Sequence, residues 1–276
     1  MGKREKVESN QKSVNSNRKK DMNNFSKTTL YPIYILWLRQ IKRYFRSKSR
    51  IIGGLGQPVI FLVALGYGFG SIFASAGQGN YIQFLSPGII AMSIMFTAVF
   101  SGIELIWDRQ FGFLKETMVA PVSRLTIMFG RTLGGATTAL MQGIIVLILT
   151  IIIGFRPDIG AVLWGLLFMF GIALVFTAFG TAIASMMEDM QGFGLIVNLV
   201  NMPLFFLSGA LFPLTTAPAF IQWIAFFNPL SYGVDGLRAA FTGLSQYPIG
   251  VDALVVACVT ALFLSIGAWL FGKVEV

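Results

Sequence analysis

The stretch that decides the fold is RQIKRYFRSKSR at residues 39–50, followed at once by IIGGLGQPVIFLVALGYGFGSIF at residues 51–73. A dense run of Lys and Arg stops at Arg50, and the residues from Ile51 to Phe73 carry no charge at all. A helix crossing ~30 Å of hydrocarbon needs about 20 mostly apolar residues. The stretch therefore reads as a membrane span with a basic block against its first end. Working outward, five more stretches have the same character: 87–107, 133–154, 160–186, 193–213 and 251–272. The expected fold class is all-α, a polytopic membrane protein with six transmembrane helices.

Composition agrees. Of 276 residues, 55% are hydrophobic and 12% charged, about half the charged share of an average soluble domain, and mean hydropathy is +0.73. A soluble enzyme, a disordered chain and a disulfide scaffold are excluded. One cysteine, Cys258, leaves no intrachain disulfide and is expected buried in the last span. The chain has no histidine, which removes His-based acid–base chemistry and His-ligated metal sites.

Net charge is +9, and its placement matters more than its size. Of the 21 Lys and Arg, 14 precede residue 51; Arg109, Lys115, Arg124 and Arg131 lie in one stretch; Arg156, Arg238 and Lys273 remain. Nucleic-acid binding would want a basic face on a folded domain. Here the pattern is the positive-inside bias instead. Six spans put both termini on one side, and the basic residues make that side the cytoplasm of a cell membrane, with Arg156 and Arg238 outside. Residues 1–30 are polar and aperiodic, expected as a disordered basic tail. Residues 31–50 place Ile33, Leu36, Trp37, Ile41, Tyr44 and Phe45 at helical spacing, with Arg39, Lys42, Arg43, Arg46 and Arg50 mostly opposite. That is an amphipathic interfacial helix, the alternative being a basic segment that only sets orientation. Residues 51–276 are expected to form the six-span transmembrane domain. In the first span, Gly66 and Gly70 are expected to let another helix approach.

Two connecting segments are informative. Between the second and third spans, Phe111, Phe113, Leu114, Met118 and Val119 mix with charge, Pro121 ends any helix begun near Phe111, and Ser123 can cap the next helix. Either these apolar residues form a docking surface outside the membrane, or they pack back on the bundle. Before the last span, 214–250 is too apolar for a free loop and too interrupted for a span. Two short helices dipping part-way into the membrane, broken at Asn228-Pro229, fit it. Asp235 and Arg238, three apart, can pair there. In the fifth span, Pro203 followed by Ser208 and Gly209 predicts a kink or break. Asp252 is expected at a water-reachable edge, and Glu104 about one turn from the cytoplasmic end of its span.

Gly112-Phe113-Leu114-Lys115-Glu116-Thr117-Met118-Val119-Ala120-Pro121-Val122-Ser123-Arg124, then Pro203 through Pro213, then Asn228 through Arg238 resemble, in that order, the signatures of a type-2 ATP-binding-cassette (ABC) exporter's membrane subunit. More narrowly, the chain resembles the drug-resistance permeases of the daunorubicin-resistance type, over about 31–276. The resemblance implies a permease that dimerises, with a second copy or a paralogue, to enclose the pathway. It also implies a separate ABC ATPase docked on the cytoplasmic loop through Gly112, Phe113, Leu114, Lys115, Glu116, Met118, Pro121, Ser123 and Arg124. Asn198, Asn201, Pro203, Ser208 and Gly209 become candidate pathway residues, and Asn228, Pro229, Tyr232, Asp235 and Arg238 an external re-entrant motif. No Gly-x-x-x-x-Gly-Lys-Ser/Thr occurs in the chain, so ATP and magnesium are expected on the partner and no cofactor, metal or catalytic residue here. Neutral aromatic and Met-rich spans suit hydrophobic or amphiphilic cargo such as a drug. A polysaccharide or lipid-linked glycan permease of the same family is the alternative. A secondary transporter would place ionisable residues deep in the spans, and a lipid-modifying enzyme would cluster them at one interface. Neither pattern is visible.

Overall fold

The computed structural model describes residues 30–76, 79–113 and 122–271. Among these, every regular element is helical: α1 (residues 30–46), α2 (Lys48–Gly68), α3 (Gly70–Ser75), α4 (Tyr81–Phe100), α5 (Ile103–Gln110), α6 (Arg124–Ile153), α7 (Val162–Ser185), α8 (Met190–Phe206), α9 (Ala219–Phe227), α10 (Pro229–Thr242) and α11 (Ile249–Phe271). Five helices are long and apolar enough to cross a membrane: α2, α4 continued by α5, α6, α7 and α11. The tail at 1–29 lies outside the described residues.

The core is built by α4, α6, α7 and α11, with α10 wedged against α4, α7 and α11. Small residues set its spacing. A Cβ built on Gly102 would lie 2.4 Å from the Gly180 carbonyl oxygen, and one on Gly180 would lie 2.4 Å from that of Val99. The turn between α4 and α5 thus rests backbone-to-backbone on α7, a contact that only glycine permits. α2 and α8 are the looser edge members. α2 packs on α4 and α6, and α8 touches α4, α5 and α7 lightly.

Several expectations change. The third spanning helix begins at Arg124 rather than 133, so Arg131 is a helix residue and buried. The second starts at Tyr81, with Pro87 tolerated inside it. The fifth candidate span, 193–213, is realised as the 17-residue α8, about 26 Å long. It stops at Phe206 because Ser208 and Gly209 take the chain out of the helix, Gly209 with φ +75°. In the first span the helix breaks at Phe69. Gly66 faces α4, where a Cβ would meet Ile82 at 3.3 Å, while Gly70 has nothing within 4 Å. Cys258 lies in α11 but is exposed on its outer face, since α11 buries only Asp252, Val256, Gly267 and Phe271. Asp252 is fully buried, with neither carboxylate oxygen hydrogen-bonded among the described residues. It sits on that inward stripe, four residues before Val256.

Candidate functional site

At the end of the bundle where α1, α5 and α6 meet, six charged side chains interlock. Glu104 and Asp108 stand four apart on α5, hence on one face, and both are buried. Asp108 accepts from Arg39, and from Arg131 at 2.6 Å, and lies 3.7 Å from Arg43. Glu104 lies 3.3 Å from Arg43 and 3.0 Å from Arg50. Arg131 is 5% exposed, so its guanidinium depends on Asp108 for its charge balance. The basic face of the amphipathic helix is therefore partly turned inward.

α1 is also held along α6 by neutral contacts. A Cβ on Gly134 would sit 2.7 Å from the Gln40 amide oxygen. Trp37 Nε1 donates to Thr137 Oγ1 at 3.0 Å, and Tyr44 Oη donates to Gln142 Oε1 at 2.7 Å. Burial raises the Tyr44 pKa above its ordinary 10.0, which keeps the phenol a donor.

The segment that follows carries the loop residues. Gly112 has φ +80°, the left-handed conformation glycine adopts freely, and it ends α5. Phe113 is half-exposed, with the Arg39 guanidinium 5.9 Å from its ring centroid. Leu114, Lys115, Glu116, Met118 and Pro121 lie outside the described residues. Ser123 caps α6, its Oγ accepting from the Thr126 N–H at 3.1 Å. Arg124 donates to the Phe271 carbonyl at the end of α11, at 3.3 Å.

At the opposite end, the broken α8 and the segment before α11 come together. Phe193, Val197, Asn201 and Phe205 form the buried stripe of α8. Asn201 is fully buried, with neither amide atom hydrogen-bonded among the described residues, whereas Asn198 and Pro203 are exposed. Ser208 Oγ turns back on the Phe205 carbonyl at 2.7 Å. Asn228 caps α10 by accepting from the Leu230 N–H at 3.0 Å, and its Nδ2 donates to the Leu204 carbonyl at 2.7 Å. One side chain thus satisfies two orphaned helix ends. Pro229 occupies the first helical position of α10, and Tyr232 Oη donates to the Phe226 carbonyl at 2.8 Å.

Asp235 and Arg238 do not pair with each other. The Asp235 carboxylate accepts from the backbone N–H groups of Gln246 and Tyr247 at 2.9–3.0 Å. Arg238 donates to the Gly209 carbonyl at 2.9 Å and stacks 4.0 Å over the Phe84 ring. One helical turn separates the two residues, but each is drawn to a different loop that needs closing. The network of Glu104 and Asp108 with four arginines is absent from the sequence expectations. Its signal was the repeated spacing of four, Glu104/Asp108 and Arg39/Arg43.

The family model for ABC-2 type transporters matches residues 31–242, a span that holds α1, the loop, the α8 break and α10. The chain belongs to the ABC-2 type transporter family. It is similar to nodulation protein J of Rhizobium leguminosarum bv. trifolii, 29% identical over 84% of this chain and 87% of that one. It is also similar to the daunorubicin resistance ABC transporter permease protein DrrB1 of Streptomyces coeruleorubidus, 28% identical over 82% and 79%, and to the inner membrane transport permease YadH of Escherichia coli K12, 26% identical over 78% and 84%. With its apolar helices, this ABC-2 chain is a multi-pass membrane protein of a transport permease family.

Proposed function

We propose that the chain is the permease subunit of an ABC exporter, paired with a second copy and driven by a separate ATPase. The observation that carries this is the family match over 31–242, which takes in every segment expected to work. The basic end faces the cytoplasm by the positive-inside bias, since Arg39, Arg43, Arg50 and Arg131 gather there. α8, with its following break, serves as the sixth span, which places both termini in the cytoplasm. The ATPase docks on the segment after α5, with Phe113, Leu114 and Met118 as apolar anchors and Lys115 and Glu116 at the rim. α1 is tied to α5 and α6 by the ion-pair network, so a push on that segment moves α1, α5 and α6 together. The α9–α10 segment dips into the outer leaflet and buttresses the α8 break. Cargo is a hydrophobic or amphiphilic compound, in keeping with a daunorubicin resistance permease among the relatives.

The test is reconstitution of the purified chain in vesicles with and without the ABC ATPase that co-purifies with it. Hydrolysis of ATP and ATP-driven movement of a hydrophobic dye are expected only with both proteins. Hydrolysis by this chain alone, or dye movement without the ATPase, overturns the reading. Leu114→Asp is expected to abolish co-purification, because it buries an unpaired carboxylate at the interface. Full retention of the complex would make the loop a mere connector.

A further inference from the structure

Between α2, the α4–α5 pair and α6 lies a cavity of about 440 Å³, within the roughly 300–1,000 Å³ that holds one small molecule. It is formed by one chain alone. It runs beside α4 and α5 from Ser93 to Trp107, roughly 20 Å of helix rise, from the middle of the bundle to its basic end. Its existence follows from local sequence. Gly53 and Gly54 present no side chain to it, and a Cβ on Gly53 would meet nothing within 4 Å.

The two ends of the cavity differ chemically. Its inner reach is walled by Met92, Phe96 and Pro58, with Gln57, Ser93 and Thr97 as polar members. Ser93 is 2% exposed and its Oγ has no hydrogen-bond partner among the described residues. Such a group is open to a polar atom that a ligand or an ordered water brings. The outer reach ends at Arg50 and Glu104. Arg50 gives one N–H to Glu104 and is 43% exposed along its side chain, so most of its five donors are uncommitted among the described residues. Glu104 keeps Arg43 at 3.3 Å if Arg50 turns away. Around this mouth four guanidinium groups face two carboxylates, leaving a surplus of positive charge.

We propose that this cavity binds a single-chain amphiphile with an anionic head, carboxylate or phosphate. Its head lies on Arg50 at the basic end, and its tail lies along Phe100 and Phe96 towards Met92. Ser93 Oγ meets a polar atom of the chain where there is one. This deepens the export reading by naming a cargo class, yet binding itself needs neither a second copy nor an ATPase. Its failure is therefore separable from failure of that reading.

The experiment uses the full chain in phosphatidylcholine nanodiscs, without ATPase. Palmitic acid carrying a chain diazirine is the anionic probe, and the matching fatty alcohol is the neutral one. After illumination, peptide mass spectrometry is expected to place the acid on the stretches 53–58 and 92–100, with the alcohol labelling there about tenfold less, as loss of a charge-assisted contact implies. Arg50→Gln should erase the preference for acid over alcohol. Gly53→Leu should exclude both probes, and its thermal melting and elution profile should match those of the wild type, because the site has room for the side chain. A lysolipid of the bilayer and a free fatty acid share the proposed chemistry. Lysophosphatidic acid added to the nanodisc and oleate added from water tell the two sources apart, and competition by either supports the site. Labelling that follows lipid exposure, as along α11, overturns the proposal. So does equal labelling by acid and alcohol, indifference to Gly53→Leu, or competition by neither anion.

Discussion

The two ends of the molecule solve the same problem differently. At the basic end, buried charge is met by side chains of opposite charge from other helices: Asp108 and Glu104 on α5 face arginines of α1, α2 and α6. At the opposite end, Asp235 and Arg238 are met by backbone and ring: Asp235 takes two N–H groups, and Arg238 takes a carbonyl and the face of Phe84, while Asp252 finds no hydrogen-bond partner among the described residues. Ion pairs between separate rods can re-form with a neighbouring partner after a small slide, and Asp108 already touches three arginines. Backbone contacts fix loop geometry and have no alternative. The first arrangement suits the motion proposed for that end under an ATPase. The second suits the proposed re-entrant segment, since backbone groups freed inside a membrane find no water.

The largest effect is expected at Asp108. Asp108→Ala strands the buried Arg131, and breaking a buried pair costs about 3–5 kcal/mol. A steep loss of thermal melting temperature in detergent is the readout. Asp108→Leu combined with Arg131→Met should recover most of it, because an apolar pair of similar bulk replaces a costly ionic one. If the double variant melts as low as the single, the arginines of α1 matter more than Arg131.

Asp235→Ala comes next. It removes the acceptor of the Gln246 and Tyr247 N–H groups, and each hydrogen bond to a charged group contributes a net of about 1.5–3 kcal/mol. Faster proteolysis at residues 243–248 is the expected sign. Equal proteolysis in variant and wild type would mean that the loop is held by the Tyr232–Tyr247 stack instead. Asn228→Ala should cost about 1–2 kcal/mol as a lost cap, with the loss confined to the opposite end. Hydrogen exchange should rise at Leu230 and stay unchanged in α5.

The contrast between the ends also explains what was legible in the sequence. Long apolar stretches between charge blocks reveal their helices directly, so the spans expected at 51–73, 87–107 and 160–186 each coincide with a helix, Lys48–Gly68, Tyr81–Gln110 and Val162–Ser185. Boundaries were less so. Arg131 looks like a loop residue because a guanidinium inside a helix bundle makes sense only once Asp108 is beside it. The α8 break was readable from Pro203, Ser208 and Gly209, since those residues act locally. Its partners, Asn228 on Leu204 and Arg238 on Gly209, were not, because they join positions 24 and 29 residues apart. The expected Asp235–Arg238 pair failed for the same reason: spacing along a helix says who can meet, and the loops decide who does. Asp252 looked wet from its place at a helix end and is buried, on a helix that packs against α10.

The smallest effect is expected at Arg109, and it sharpens the contrast most. Arg109 donates to Glu188 at 2.9 Å, a shorter separation than that between Arg43 and Glu104 at 3.3 Å. Distance alone would rank it as the stronger pair. Yet the Glu188 side chain is 79% exposed against 10% for Glu104, so water and salt screen it, and an exposed pair contributes about 0–1 kcal/mol. Gln110 also holds the Glu188 carbonyl at 2.9 Å, so the turn after α7 keeps one anchor when Arg109 is lost. Arg109→Ala should therefore shift melting little at low salt and not at all at high salt, whereas Arg43→Ala should lower it under both conditions. If both variants respond alike to salt, burial does not separate the two classes of pair, and the inward-facing network is only surface charge.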